Sequence, residues 1–506
     1  MFGADWVRSS EEICEMQKHR NVFVAAFILA ALLMGCAQPK QAEDMQQKDT
    51  EAKASMSPQD LTDRTVERRA VEDVIWGIPA VNFDRMYQAM VQDAKAGEGS
   101  NKVVFWSRLF GWKNQTLTPN PDSIYLMPFF NTKDAGPMVL EIPPAGADGS
   151  ITGSIDDCWQ TAIADVGPAG TDGGKGGKYL LLPPGYKDKA PSGYIPLETY
   201  NYEGYALLRS ILKSNSEADI ANAVAYGKRI KLYPLAQAAH PPETQFTDAI
   251  DVVYDATIPW DMRYFESLNR IVQMEPWLTR DKAMIDQLKS IGIEKGKTFS
   301  PDAATQDILK RGVAEAHAWL VNNYETHYFP PPFYPGGHWF LPASPEVVQG
   351  LSTFYANPDT YPIDSRGTAY TLGFFSAKHF GAGQAYLMTF KDQDGNSLSG
   401  GTIYRLNVPA NAPVRQYWSA TVYDRETHAL IRNAQWPSRS SQTPGLQKNG
   451  DGSVDIYFGP KAPQGKESNW VPTHADSGFE VLFRLYGPEK AFAEKAWKLP
   501  DIEKAN

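Results

Sequence analysis

The sequence predicts a mainly β protein of the α+β class, with two β units, a helical segment between them and helices at both ends. Three observations predict this fold. Residues 101–205 and 350–487 are short apolar runs broken by Gly and Pro, a pattern typical of antiparallel sandwiches or barrels. Residues 234–345 carry apolar side chains at helical spacing. Segments of the first β region recur in the same order in the second, which indicates a duplicated folding unit.

The duplication is seen in apolar runs that end in the same way. The paired segments are Val139–Pro143 and Tyr404–Pro409, Trp159–Asp165 and Trp418–Asp424, Gly177–Pro183 and Gly452–Pro460, and Tyr194–Arg209 and Trp470–Arg484. This pairing makes Asp165 equivalent to Asp424 and Arg209 equivalent to Arg484. We therefore expect two copies of one module that bury matching faces.

The first 36 residues predict a bacterial lipoprotein signal. The apolar run Val22–Met34 follows a short basic stretch, is too short to span a bilayer and ends beside Cys36. The last four residues, Leu-Met-Gly-Cys, resemble the lipobox, in which the Cys is diacylated and becomes the mature N-terminus. The acidic residues at the start are unsuited to a signal, so translation is expected to begin at Met16. Ala37, in place of the usual Asp retention signal, favours the outer membrane, facing the periplasm.

The rest of the chain divides by composition and periodicity. Residues 37–56 are polar and lack an apolar period, as in a disordered tether. Residues 57–233 contain N-terminal helices, which begin at a Ser57-Pro58 cap, and the first β unit. Residues 234–345 form the helical connector, and residues 346–506 form the second β unit with a C-terminal helix.

Composition limits the class of protein. The chain has 506 residues, of which 42% are hydrophobic and 21% charged, ordinary values for a globular protein long enough for two cores. A formal net charge of −10 without a basic cluster argues against nucleic-acid binding. Cys14 is lost with the signal and Cys36 carries the lipid, so no intramolecular disulfide is expected. Cys158 is then expected to be a small core residue.

Several strings resemble known families. Asn120-Pro-Asp-Ser-Ile-Tyr125 resembles the N-x-D-[ST]-x-Y signature of domain-of-unknown-function family 1254. Strings in the second half resemble family 1214: Tyr417–Asp424, Lys448–Pro460, Gly465–Trp470, Phe483–Pro488 and Lys498–Glu503. The two families commonly occur together in this order, and the match covers nearly all of the mature chain. The resemblance implies two tandem antiparallel jelly-roll-like β-sandwiches with a helical insert, often assembled as trimers. It carries no settled biochemical function.

Motifs of the common enzyme classes do not occur in the sequence. There is no G-x-S-x-G elbow, and the Gly-rich run Gly170–Lys178 lacks P-loop spacing and is interpreted as a turn. The histidines of the mature chain show no H-x-H or H-E-x-x-H spacing. We therefore expect no metal site and no cofactor.

The sharpest polar cluster is Asn120-Pro-Asp122, followed by Tyr125. In a structural interpretation, Asn120 and Asp122 accept backbone N–H bonds in an Asx-type turn and Tyr125 begins a strand. A second Asn357-Pro-Asp359 favours this interpretation. In a functional interpretation, Asp122 is a carboxylate lining a cleft, and Tyr125 donates a proton or binds a ligand. Asn120, Asp122 and Tyr125 are therefore candidate ligand-binding residues, and the last two are catalytic candidates.

Asp165 and Asp424 are the other catalytic candidates, because paired carboxylates about 5 to 10 Å apart hydrolyse glycosides. The alternative is that each closes a strand and caps a turn. Arg209 and Arg484 follow apolar strands directly, and a buried Arg needs a carboxylate, for which these two aspartates are natural candidates. Arg484 and Trp470 are further candidate ligand-binding residues, with Trp470 as an exposed stacking platform for a sugar or peptide.

These observations favour a lipid-anchored envelope protein without catalytic activity, a homo-oligomer and expected trimer that binds a small molecule, a glycan or a partner. Its contact with the membrane is the lipid on Cys36. The alternative is an envelope hydrolase acting on carbohydrate or ester substrates through Asp122, Tyr125 and the two repeat-related aspartates.

Overall fold

The computed structural model describes residues 56–329, 331–381 and 383–505. The chain divides after Thr62, and the described β-strands all belong to the compact unit that starts at Asp63. The predicted signal, the lipidation site Cys36 and the tether as far as residue 55 lie outside the described residues. Among the described helices, none has the length and apolar character needed to cross a bilayer.

Helices precede, separate and follow the strands. They are α1 (Pro58–Gln88), α2 (Thr132–Ala135), α3 (Glu217–Gly227), α4 (Met262–Met274), α5 (Met284–Ser290), α6 (Ala303–Thr326), α7 (Pro345–Thr353), α8 (Ile363–Leu372) and α9 (Lys490–Ala493). A π-helical turn, Ala89–Asp93, continues α1. Several begin at a predicted type of cap: Ser216, for example, accepts a hydrogen bond from the Asp219 amide at the start of α3.

The first sandwich has two sheets of mainly antiparallel strands. The larger has the order β11-β1-β3-β9-β5-β6 and the smaller β10-β4-β7-β8, while β2 and β12 pair separately. The strands are β1 (Lys102–Phe105), β2 (Asn114–Gln115), β3 (Ile124–Asn131), β4 (Met138–Ile142), β5 (Ile151–Asp157), β6 (Ala162–Val166), β7 (Gly177–Leu182), β8 (Ile195–Glu198), β9 (Glu203–Ser210), β10 (Lys231–Pro234), β11 (Gln245–Asp248) and β12 (Tyr254–Asp255).

The second sandwich repeats this arrangement, with four strands in place of six in the first sheet and four again in the second. Their orders are β13-β19-β15-β16 and β18-β17-β14-β20. The strands are β13 (Gln384–Thr389), β14 (Tyr404–Val408), β15 (Trp418–Asp424), β16 (Ser438–Ser440), β17 (Val454–Gly459), β18 (Trp470–Pro472), β19 (Phe479–Tyr486) and β20 (Glu503–Lys504). The mainly β, α+β fold predicted from the sequence is confirmed.

Alternation along each strand divides its side chains between two cores. In β9, Leu208 points into the first sandwich, where it packs with residues such as Leu126 and Leu140. Leu207 points the other way, into a larger core that it shares with helical residues such as Leu268 and with strand residues of the second sandwich. One face of the sheet that contains β9 and one face of the sheet that contains β19 thus pack against the same helical layer, which places the two sandwiches side by side.

The strand register identifies the equivalent positions of the two copies. Arg209 on β9 lies opposite Tyr125 on β3 and Thr152 on β5. Arg484 on β19 lies opposite Tyr386 on β13 and Ser419 on β15 in the same way. The equivalence of the two arginines follows from this shared register. The same register makes Tyr125 equivalent to Tyr386, a pairing that the sequence did not predict.

The predicted pairing of Trp159–Asp165 with Trp418–Asp424 is wrong. The register makes β15 the counterpart of β5, so Asp424 corresponds to Asp157, whereas Asp165 lies on β6 beyond it. The physical reason is that Trp159 belongs to a turn: Asp157 Oδ1 accepts hydrogen bonds from the amides of Trp159 at 3.0 Å and Thr161 at 2.7 Å. The common Trp–Asp spacing therefore has no structural basis.

Two helical predictions also differ from the structure. The two predicted N-terminal helices are one, α1, which continues through Pro79 because tertiary packing overrides the cost of an internal Pro. Residues after 350, predicted as β, form α7 and α8 before the first strand of the second sandwich begins at Gln384. The connector also supplies β11 and β12, which pair with the first sandwich.

Candidate functional site

The Asn120 turn lies where the two sandwiches meet. The amide of Asp122 donates to Asn120 Oδ1 at 2.9 Å, so the predicted Asx-type turn forms. Asn120 Nδ2 donates to two hydroxyl groups of the second sandwich, Tyr417 at 2.9 Å and Tyr486 at 2.8 Å. The turn thus joins the two halves of the molecule, which the structural interpretation alone did not foresee.

Asp122 is buried in this junction. Its Oδ2 accepts a hydrogen bond from Ser438 Oγ on β16 at 2.9 Å. Burial raises the pKa of the Asp122 carboxyl, and the Ser438 hydroxyl and the Arg484 charge oppose that rise. The side chain is only 3% exposed. Asp122 therefore acts in the structure as a link between β16 and the turn, not as an open catalytic carboxylate.

Arg484 is buried and almost fully satisfied by neutral groups. Its Nη1 donates to Thr421 Oγ1 at 2.9 Å, and its Nη2 donates to Thr118 O at 2.9 Å and to Tyr423 Oη at 2.6 Å. A third acceptor for Nη2 is Pro119 O. The predicted carboxylate partner is wrong for this Arg, because backbone and hydroxyl oxygens occupy its donor positions instead.

Arg209, the equivalent residue of the first sandwich, is bound very differently. Its Nε donates to Tyr125 Oη at 3.2 Å, and its guanidinium lies 5.0 Å from the centre of that ring. Among the described residues, neither terminal nitrogen has a hydrogen-bond or ion-pair partner, although the residue is only 7% exposed. The predicted carboxylate partner is again wrong, and here nothing in the described protein replaces it.

A cavity of about 450 Å³ opens onto Arg209. Its polar lining includes Ser376, Tyr386 and Asp165, and its remaining walls are largely apolar: Val166, Phe333, Leu341, Pro342, Phe375, Phe380 and Phe492. A smaller chamber of about 40 Å³ shares Arg209, Pro342, Phe375 and Tyr386 with this cavity and extends to Arg484 and Tyr125. Arg209 therefore borders both spaces, and Arg484 borders the smaller one.

Tyr125 and Tyr386 line the chamber, and Tyr417 and Tyr486 pack behind Tyr386. Tyr486 stacks on Tyr417, with ring centroids 4.5 Å apart, and its hydroxyl lies 3.5 Å from that of Tyr386. Burial alone would raise the pKa of Tyr486, but the positive charges of Arg209 and Arg484 outweigh burial and lower it. The chamber thus has an excess of positive charge that stabilises an anion.

Two family models match the chain. One, described as Protein of unknown function (DUF1254), matches residues 100–234, and the other, described as Protein of unknown function (DUF1214), matches residues 383–490. The chain carries both domains in tandem. The DUF1254 domain contains strands β1–β10 of the first sandwich and the DUF1214 domain contains strands β13–β19, so the resemblance seen in the sequence is confirmed. The helical layer between them lies outside both matches.

A solved structure from Vibrio parahaemolyticus shares the fold. The VPA0106 protein from Vibrio parahaemolyticus is 17% identical, with a TM-score of 0.53 over 87% of this chain and 100% of that chain. A protein from Burkholderia cenocepacia is 11% identical, with a TM-score of 0.36 over 87% of this chain and 94% of that chain. No curated protein matches the chain.

The remaining predicted residues do not converge on this chamber. Asp165, in the DUF1254 domain, lines the outer cavity but accepts hydrogen bonds from Ser154 Oγ at 3.0 Å and His379 Nδ1 at 2.9 Å. Asp424, in the DUF1214 domain, caps a turn by accepting from the amides of Glu426 and Thr427, both at 3.0 Å. The two aspartates are not equivalent, and they line different cavities.

Trp470 is half-buried on β18, in the sheet of the DUF1214 domain that does not contain Arg484. Its Nε1 donates to Gly459 O at 2.8 Å, and its ring meets Trp436 edge to face. It stands apart from the chamber, and its proposed role as a stacking platform stays a prediction.

Sequence reasoning named Tyr125 and Arg484, which line the chamber, as ligand-binding candidates, but it expected Arg209 only in a salt bridge and missed Tyr386 and its neighbour Tyr486. The signal that would have found Tyr386 is the repeat register, since it occupies the position of Tyr125. Tyr486 lies two residues after Arg484, so both side chains leave the same face of β19. Cys158, as predicted, is a buried core residue, and burial raises the pKa of its thiol.

Proposed function

We propose that this protein binds a small organic acid, a carboxylate with an apolar body, in the cavity at Arg209. The observation that carries the proposal is a buried guanidinium with two terminal nitrogens that lack partners among the described residues and border a cavity. A guanidinium presents its donors as a planar fork, and a carboxylate matches that fork with two parallel hydrogen bonds.

Energetics favour an anion at this position. A buried charge without a partner costs several kcal/mol, so an occupant that supplies the opposite charge removes a penalty that the empty protein carries. Asp156, a buried carboxyl within the electrostatic influence of Arg209, does not supply it. Burial, with the negative charges of Asp157 and Asp165, raises the pKa of Asp156 well above the ordinary value, and Arg209 only partly opposes this. This shift favours the uncharged form of Asp156 over the carboxylate.

The walls of the cavity define the rest of the ligand. A volume of about 450 Å³ is within the range of small-molecule sites, roughly 300 to 1,000 Å³. Aromatic side chains line it, including Phe333, Phe375 and Phe380. Contact with these rings favours an alkyl or aryl body over a glycan, whose hydroxyl groups need many polar partners. The acid group faces Arg209 and Tyr386, and the apolar body extends toward the opening.

The cellular setting follows from the sequence. We propose that Cys36 is lipidated, that the anchor holds the protein on the outer membrane facing the periplasm, and that the protein assembles as a homotrimer. Metabolic labelling with a fatty acid, with Cys36→Ser as control, tests the anchor, and light scattering of the purified protein tests the assembly. A clean monomer at micromolar concentration contradicts the trimer.

The binding proposal is tested by calorimetric titration with decanoate. We expect decanoate to bind and decanol, which has the same alkyl chain without the charge, to bind at least about tenfold more weakly, a difference of ~1.4 kcal/mol. Arg209→Met removes the guanidinium and is expected to weaken decanoate by a similar factor or more. Arg263→Met removes an exposed guanidinium that pairs with Asp261 and serves as the control.

The outcomes separate the alternatives. Equal binding of decanoate and decanol refutes recognition of the acid group. Equal decanoate affinity in Arg209→Met and in the wild type places the ligand elsewhere. An absence of binding by decanoate, benzoate and their longer homologues contradicts an organic acid as the ligand class.

A further inference from the structure

We propose a second binding site, around His428, that takes a small primary ammonium ion with a short carbon chain. It is independent of the Arg209 cavity. The site lies between α6, α8 and the turns that follow β15 and precede β19, around a cavity of about 460 Å³.

The imidazole of His428 is held by a buried carboxylate. Its Nδ1 lies 2.8 Å from Glu480 Oε1, and Glu480 is fully buried. The same carboxylate accepts the Tyr324 hydroxyl at 2.7 Å and an Arg425 Nη at 3.3 Å. Although burial acts to raise the pKa of Glu480, the hydrogen bonds from His428 and Tyr324 and the charge of Arg425 lower it, so its carboxylate is an acceptor. Nδ1 therefore carries the proton it donates.

This arrangement leaves the other ring nitrogen as a lone-pair acceptor. In the neutral imidazole, protonation at Nδ1 makes Nε2 an acceptor. Nε2 has no hydrogen-bond partner among the residues that the structure describes, and the residue, 7% exposed, lines the cavity. The backbone fixes it there in a left-handed conformation with φ of 54°, and its carbonyl accepts the Thr118 amide at 2.7 Å. A ligand that donates hydrogen bonds fits this nitrogen.

The charge around the cavity selects a cation. Four carboxylates line it, from Glu325, Asp424, Glu426 and Asp476, and Glu480 lies behind them. The guanidinium in the lining, Arg425, already pairs with Glu480 and Glu325. This excess of negative charge is the opposite of the Arg209 chamber, so the two sites are expected to take ligands of opposite sign.

The shape of the cavity favours an organic ammonium over a metal ion. No group of three or more His, Cys, Asp or Glu side chains is placed to hold a metal among the residues described. The cavity instead has an apolar wall formed by Leu320, Val321 and Leu372. An ammonium group offers three donors for Nε2 and the carboxylates, while a short alkyl chain contacts this wall.

The test is a titration of the full chain with n-butylammonium, with n-butanol as the uncharged probe. We expect butylammonium to bind at least about tenfold more tightly than butanol, ~1.4 kcal/mol. His428→Asn, which tolerates the left-handed backbone, is expected to lose at least about tenfold in affinity, because its shorter side chain withdraws the acceptor. Arg263→Met, which removes an exposed guanidinium outside this cavity, should bind butylammonium as the wild type does.

A spectroscopic measurement keeps the test independent of variant stability. In the wild type labelled with ¹⁵N-histidine, the Nε2 resonance of His428 is expected to shift on addition of butylammonium and to stay unchanged with butanol. An unchanged Nε2 resonance at saturating butylammonium, or full affinity in a folded His428→Asn variant, overturns the proposal. Equal binding of butanol overturns the selection of a cation.

Discussion

Substituting Met at the two equivalent arginines is expected to give opposite results for stability. Arg484→Met removes a guanidinium that donates hydrogen bonds to four oxygen atoms: Thr421 Oγ1, Thr118 O, Pro119 O and Tyr423 Oη. These groups stay buried without their donor. Each buried unsatisfied group costs about 1–3 kcal/mol, and the structure around the substitution partly relaxes. We therefore expect the free energy of unfolding to fall by about 3–5 kcal/mol.

Arg209→Met removes one hydrogen bond, to Tyr125 Oη, worth about 1 kcal/mol, together with a buried charge that has no counter-ion. Replacing an uncompensated buried charge by an apolar side chain of similar length is stabilising by up to several kcal/mol. The two terms oppose each other, and we expect the ligand-free variant to match or exceed the wild type in free energy of unfolding.

Urea unfolding of protein from which any bound acid has been removed measures the free energy of unfolding of both variants. The bound acid must be removed because it stabilises only the wild type, by mass action. The midpoint should fall for Arg484→Met and hold or rise for Arg209→Met, with similar slopes. Equal destabilisation by the two substitutions would refute the reasoning, because it would mean that Arg209 has structural partners and no vacant donors.

Three further predictions concern hydrogen bonds and protons. Asn120→Ala should cost about 3 kcal/mol in urea unfolding, from the lost Asx-turn bond and two tyrosine bonds, whereas Asn357→Ala, in an exposed Asx turn, should cost under about 1 kcal/mol. Tyr486 should ionise at lower pH than free tyrosine in an ultraviolet phenolate titration, and Arg209→Met should raise that pKa; no change on substitution contradicts the charge argument. Burial, followed by the charge of Glu275, raises the pKa of Glu203 to about 8. Wild-type stability should therefore fall by up to ~1.4 kcal/mol per pH unit as pH rises from the pKa of Glu203 in the unfolded chain toward 8. The fall due to Glu203 should be absent when melting of Glu203→Gln is followed over the same pH range.

The sequence predicted the fold class because strand and helix periods are local signals. It predicted the Asn120 turn for the same reason, since an Asx turn forms within three residues. The partners of that turn could not be predicted, because Tyr417 and Tyr486 are roughly three hundred residues or more away in the chain. Only the packing of the two sandwiches brings them together.

The misaligned repeat has a similar cause. Trp159 and Trp418 stand the same distance before an Asp, but one belongs to a turn and the other begins a central strand. Spacing within one strand cannot tell these cases apart, whereas the register between strands does. Salt-bridge reasoning failed for both arginines because backbone carbonyls and phenols satisfy one, and the other keeps donors free beside a cavity.

The seam between the two family domains has a genetic consequence. The side-chain amide of Asn120 and the carboxyl of Asp122 belong to one domain, whereas their hydrogen-bond partners Tyr486 and Ser438 belong to the other. If either domain were expressed alone, these polar groups would lose the hydrogen-bond partners that the other domain supplies. Recombination that shuffles such halves is therefore disfavoured, and the two are expected to be inherited as a single cistron.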